Sequence, residues 1–138
     1  MKKKILSGHI DLNADLALLI ARVTISLLML AHGIPKFQML LSGNTEIFPS
    51  VFGMGSSLSL GLTVFAEVVC SLLLLLGFGT RLALLPLIVT MLVAVFFIHA
   101  SDEFAKKELG LLYLSAYLVL LFAGSGRYAV DHALLRDR

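Results

Sequence analysis

Arg22 is the one charge between Asp15 and His32, and Glu67 is the one charge between Glu46 and Arg81. Ionisable residues inside apolar stretches of membrane length are rare, and they face a protein interior or a water-filled cavity. At about 100° per residue, Arg22, Ser26, Met29, Gly33 and Lys36 share one helix face, with His32 at its margin. Ser56, Ser59, Thr63, Glu67, Cys70 and Ser71 form a matching stripe on the next apolar run. In an antiparallel pair, Arg22 lies about seven residues and Glu67 about eleven from the same end, at ~1.5 Å per residue. A buried Arg22–Glu67 ion pair is therefore expected, with Ser26 and Thr63 beside it. Such a pair either fixes the register of the helices or forms the floor of a ligand or proton site.

A second group of polar residues gathers at the opposite end. His32 and Lys36 come level with His99, Asp102 and Glu103, and with Lys107 and Glu108 beyond them. An exposed interfacial salt-bridge cluster is the simplest reading. His32, His99 and Glu103 are also a weak candidate set of metal ligands, since nitrogen and oxygen donors at one level suit a transition metal. Axial haem ligation by His32 and His99 is geometrically conceivable and disfavoured. Tyr113 and Tyr117, four apart, either pack at a helix interface or turn their hydroxyls and rings toward a ligand. Cys70 in its apolar run reads as a small buried hydrophobe. With one cysteine, no intrachain disulfide and no thiolate metal cluster can form. No Ser/His/Asp order, phosphate-binding glycine loop or zinc-hydrolase motif is present.

The elements that must position these side chains follow from hydropathy. Of the 138 residues, 59% are hydrophobic and 14% charged, against roughly 45–50% and 25% in soluble domains. The mean hydropathy is +0.97, which marks an integral membrane protein. A net charge of +2 with no basic block longer than Lys2-Lys3-Lys4 excludes a nucleic-acid partner. Four apolar helices are expected at about 15–36, 57–78, 82–98 and 109–124, each near the ~20 residues that cross a ~30 Å hydrocarbon core. The first is read as a retained helix, because Asp11, Asp15 and Arg22 interrupt it and no Ala-x-Ala exit follows. Residues 38–57, with Phe48-Pro49 and Phe52-Gly53-Met54-Gly55, form an extracytoplasmic loop able to act as a lid. Arg81, Arg127, Arg136 and the N-terminal lysines fall on one side, so both termini are expected in the cytoplasm. The fold class expected is all-α, a single antiparallel bundle of four transmembrane helices.

Three motifs in this order resemble the DoxX family of small bacterial membrane proteins over almost the whole chain. They are Ala21-Arg22 leading through an aliphatic run to His32-Gly33-Ile34-Pro35-Lys36-Phe37, Glu67 before Leu76-Gly77-Phe78-Gly79-Thr80-Arg81, and Gly124-Ser125-Gly126-Arg127-Tyr128-Ala129-Val130-Asp131. Family members often have Gly-Pro-Gly where this chain has Gly124-Ser125-Gly126, a departure that affects only turn stiffness. The resemblance carries over to Arg22, Lys36, Glu67, Arg81, Arg127 and Asp131. It implies a four-helix protein of the bacterial inner membrane, and a membrane subunit or accessory of quinone-linked redox or oxidative and thiol-stress chemistry. It does not decide whether the protein is an enzyme. A quinone or lipid near Arg22 and Glu67 is the ligand so implied, and the lipid bilayer, a redox enzyme complex or further copies of the chain are the partners. Small-solute or proton transport by an oligomer, and a purely structural or assembly role, are the alternatives.

Overall fold

The computed structural model describes residues 11–136, with side chains from Ala14 onward. The Lys2-Lys3-Lys4 topology signal lies outside the described residues. Helix α1 runs Asp11–Ser42, α2 Ser56–Leu76 and α3 Thr80–Ile98, α4 Phe104–Ala123, and α5 Val130–Arg136. No strand occurs among the described residues. α1, α2 and α3 are long and apolar enough to cross a membrane.

α1 is longer than the apolar pattern suggests, passing through Pro35 and ending six residues beyond Lys36. Pro35 has no N–H to donate to the Ala31 carbonyl, a loss that long apolar helices tolerate. The extension carries Lys36 on a continuous helix rather than on a helix end. α4 starts five residues earlier than expected, so Lys106, Lys107 and Glu108 occupy its first turns instead of a loop. α5 is a further short helix in the segment that follows Gly124.

Two stretches are wound as π-helix, Phe65–Cys70 within α2 and Ala94–Ile98 at the end of α3. Such widened turns are rare and occur frequently at functional sites. α2 ends in a Schellman turn: Gly77 is left-handed at φ 72, Gly77 N–H donates to the Leu74 carbonyl, and Phe78 N–H to that of Leu73.

α1 and α2 pack closely because Gly33 has no side chain. A Cβ there would lie 2.9 Å from Val68 Cγ2 and 3.0 Å from Glu67 Cβ. At the other end Gly77 meets the Arg22 guanidinium, so the two helices run antiparallel. The core is built from Met29, Cys70, Leu74, Leu84, Leu87 and Met91, closed by Tyr113, Tyr117 and Leu120 of α4. Large apolar side chains also cover the outside, Leu82 being 74% and Phe122 81% exposed. An apolar exterior around an apolar core suits a bilayer solvent. One end of the molecule, formed by residues 43–55 and 99–103, is the loop end; the other, where residues 124–136 pack, is the tail end.

Candidate ligand site at Lys36 and Glu67

The two buried charges of the opening pattern do not meet. Arg22 donates from Nη1 to the Ser125 carbonyl at 2.7 Å and from Nη2 to the Tyr128 carbonyl at 2.8 Å. The expected Arg22–Glu67 ion pair is thus replaced by an Arg22 bound to main-chain oxygens of the tail. The depth count fails because it sets the ends of α1 and α2 level, whereas α1 extends from the level of Gly77 a further eleven residues, from Arg22 back to Asp11. Gly33 is level with Glu67 and Arg22 with Gly77, and ten residues of α2 at ~1.5 Å each put about 15 Å between the two charges.

Around Arg22 the family-type motifs form one clasp. Asp131 accepts from Gly79 N–H at 2.7 Å and Thr80 N–H at 2.9 Å, capping α3 with a carboxylate. Its own N–H donates to the Gly77 carbonyl at 2.9 Å. Burial pushes the Asp131 carboxyl up, but the Thr80 and Gly79 N–H groups and the charge of Arg22 outweigh it and hold the group below the usual carboxylate range. Arg127 N–H donates to Asp15 Oδ1 at 2.9 Å, with its guanidinium 3.7 Å from the same carboxylate. An open concavity of about 680 Å³ lies here, between Arg81, Asp131 and Leu134. Asp131 is already spent on the α3 cap, so this end reads as architecture.

Glu67 is answered instead by Lys36. The Lys36 ammonium donates to both carboxylate oxygens at 2.7 Å, and the side chains are 32% and 3% exposed respectively. The Gly33 contact brings the helices together one turn before Lys36, and the π-helical stretch of α2 carries Glu67.

Two cavities flank the pair. The larger, about 420 Å³, runs under the loop between α2 and α3, with walls that include Phe48, Val51, Phe52, Leu62 and Val89. The smaller, about 150 Å³, lies toward α4 and is lined by Met29, His32, Met91, Gly110 and Tyr113. Lys36, Glu67, Ala94 and His99 line both. Over the larger cavity Phe52 stacks edge-on against Phe97 at 4.7 Å, held in a left-handed conformation at φ 50. Val51 N–H donates to Ser59 Oγ at 2.9 Å and ties this loop to α2.

The other expected residues fall into place unevenly. Thr63 lines the larger cavity while donating to the Ser59 carbonyl at 2.8 Å. Tyr113 lines the smaller cavity and packs edge-on to His32 at 5.9 Å. Tyr117 is fully buried with no hydrogen-bond partner for its hydroxyl, and so is Ser26 one turn from Arg22. His99 Nδ1 is 2.7 Å from Asp102 Oδ2. Glu103 stays exposed beside the start of α4 without a side-chain cap bond. The set His32, His99 and Glu103 does not assemble: among the described residues no three His, Cys, Asp or Glu side chains come together as metal ligands. Backbone winding has no signature in apolar periodicity, so the π turns were beyond it; the position of Lys36 on the helix face it shares with Arg22 and Gly33 was the readable sign that it turns toward α2.

Comparison with known proteins gives the family. The DoxX family model matches residues 17–100. An uncharacterized protein of Haemophilus influenzae is 30% identical over 125 residues, covering 83% of this chain and 88% of that one. No solved structure matches. The matched stretch holds Arg22, Lys36, Glu67 and Arg81 together, and the chain belongs to the DoxX family.

Proposed function

We propose that this protein binds a small lipophilic ligand in the 420 Å³ cavity, with the Lys36–Glu67 pair as its polar anchor. The observation that carries this is a twice-bonded ion pair at the wall of an apolar chamber. Ligand pockets of ~300–1,000 Å³ are typically apolar with a few placed polar groups. The pair is not fully committed: an ammonium has three donors and a carboxylate about four acceptor positions, so one N–H and two lone-pair sites remain for a ligand.

In this reading the protein is a multi-pass component of the bacterial inner membrane, serving quinone-linked redox or oxidative and thiol-stress chemistry. α4 is the fourth span, its 20 residues covering ~30 Å at ~1.5 Å each. The excess of Arg at the tail end supports a cytoplasmic side for both termini in this reading.

Organic extraction and mass spectrometry of the purified protein test the ligand. The expected result is a co-purifying quinone-like or lipid molecule that is lost in Glu67→Gln and kept in Arg22→Lys. A wild-type extract with no such molecule, together with unchanged stress tolerance on deletion, overturns the reading.

A further inference from the structure

We propose that His99 is the proton-exchanging group of this site, and that the ligand is a neutral molecule carrying an ionisable hydroxyl. The proposal rests on the ligand site at Lys36 and Glu67. The charge balance of that site points to the ligand class. Lys36 and Glu67 neutralise one another, so an anion has to displace Glu67 from two hydrogen bonds and a fixed cation meets the Lys36 ammonium. A neutral hydroxyl-bearing head finds one free N–H of Lys36 as donor, and oxygen and nitrogen acceptors in Glu67 and His99.

Among the described residues, His99 is the one imidazole that lines both cavities. The π-helical turn puts it there: His99 N–H donates to the Ala94 carbonyl at 2.9 Å, five residues back. Its side chain is 40% exposed, so the ring also meets solvent. The His99 hydrogen bond holds the Asp102 carboxyl below its ordinary range, so Asp102 is an acceptor at neutral pH. Nδ1 is then the nitrogen that carries hydrogen, and Nε2 is left with a lone pair. A histidine oriented by a carboxylate, with its second nitrogen free, is the arrangement of a general base.

The step balances within the site. The ligand O–H bond breaks and an Nε2–H bond forms on His99. The electron pair stays on the ligand oxygen, whose charge faces the third N–H of Lys36. The imidazolium donates from Nδ1 to Asp102 and from Nε2 to the ligand oxygen, so a ligand that enters neutral is held as an oxyanion–imidazolium pair beside the internally neutral Lys36–Glu67 pair, and the proton returns to the ligand oxygen when the ligand leaves. The charged and titratable groups that share the smaller cavity with His99 are Lys36 and His32 on α1, Glu67 on α2, and Lys106 and Tyr113 on α4, and Asp102 on its own turn also meets the charge of Lys107.

The full-length protein in lipid nanodiscs is titrated with 4-nitrophenol, whose absorption band reports whether it is bound as phenol or phenolate, at a series of pH values. Wild type is expected to bind it as phenolate. His99→Gln is expected to bind it as phenol and about tenfold more weakly, the loss of one charge-assisted hydrogen bond. Asp102→Asn, a change of similar size at a half-buried side chain, is expected to lower the bound phenolate fraction and alter its dependence on pH. Phenolate binding of unchanged affinity and pH profile in both variants, with binding lost in Glu67→Gln, overturns the role of His99 and leaves the ligand site standing. No binding to wild type, or binding untouched by Glu67→Gln, overturns both.

Discussion

Helix α1 turns two cationic side chains toward the rest of the molecule, one buried and one half-buried, and they are answered in opposite ways. Arg22, 2% exposed, is held by carbonyls of Ser125 and Tyr128. Lys36 is held by a carboxylate beside two cavities. A planar guanidinium with five fixed donors can bridge several main-chain oxygens, and so pins a tail to a bundle. A flexible ammonium with one counterion leaves hydrogen-bonding capacity on both partners. The first arrangement closes a structure, and the second leaves one open to a ligand.

Double-mutant cycles break or sharpen this contrast most strongly. Lys36→Met leaves Glu67 charged and unpaired in a buried setting, and a loss of about 3–5 kcal/mol is expected. Lys36→Met/Glu67→Leu recovers stability to within about 1 kcal/mol, because replacing both partners by apolar groups removes the desolvation penalty as well, yet it loses the ligand. Arg22→Leu is expected to cost about 2–6 kcal/mol through two orphaned carbonyls at ~1–3 each, and Glu67→Leu does not rescue it. The Arg22–Glu67 coupling is therefore below about 0.5 kcal/mol, as for separated sites. Chemical denaturation in detergent measures all of these, and a large Arg22–Glu67 coupling sinks the contrast.

Two glycines carry the next effect. Gly77→Ala puts a Cβ 2.5 Å from Arg22 Nη1 and 2.6 Å from Ala129 Cβ, at a left-handed φ of 72. A loss of about 2 kcal/mol or more is expected from strain alone, with ligand affinity unchanged. Gly33→Ala meets Val68 and the Glu67 main chain, and parts α1 from α2 at the Lys36 pair. It is expected to weaken ligand binding more than it lowers stability. Thermal unfolding alongside ligand titration separates the two, and equal effects on both readouts from either variant count against the division.

Asp131→Asn acts only on the tail end. Loss of a carboxylate cap costs about 1 kcal/mol. Because interactions in the folded state hold Asp131 below its usual range, its contribution is complete above the unfolded value of about 3.9 and disappears as pH falls through the folded one. The wild-type minus Asp131→Asn difference in unfolding free energy is therefore flat near neutrality and closes in acid. A difference that persists unchanged below that range contradicts the capping role.

How far the sequence carried these two ends differs in an instructive way. Helix faces were legible, since the Arg22, Ser26, Met29, Gly33 and Lys36 stripe does turn toward α2 and the core. Register along the axis was not. Periodicity fixes rotation about a helix to within a residue, whereas the relative depth of two helices depends on where each ends. The depth count sets the tail-side ends of α1 and α2 level, whereas Arg22 stands level with Gly77 at the end of α2, and that offset moves Glu67 from Arg22 to Lys36. The carbonyls that bind Arg22 belong to every residue type alike, so no side-chain pattern could announce them. The tail motif was visible as a motif from Gly124 to Asp131, but its partners across the fold were not.

The smallest effect belongs to the loop that covers the larger cavity. Phe52 is a bulky residue at φ 50, a conformation costing L-residues roughly 1–2 kcal/mol. Its ring against Phe97 contributes about 0.5–1.5 kcal/mol in return. Phe52→Gly removes both, so its stability is expected to change by less than about 1 kcal/mol. The cavity nevertheless loses an apolar wall and the contact joining its cover to the π-helical turn that carries His99. Ligand release is then expected to speed up while the melting temperature stays within a few degrees of wild type, as stopped-flow dilution of a bound fluorescent ligand would read. Unchanged release would mean that the loop covers the cavity without controlling passage into it, and entry would then run between the apolar helix faces instead.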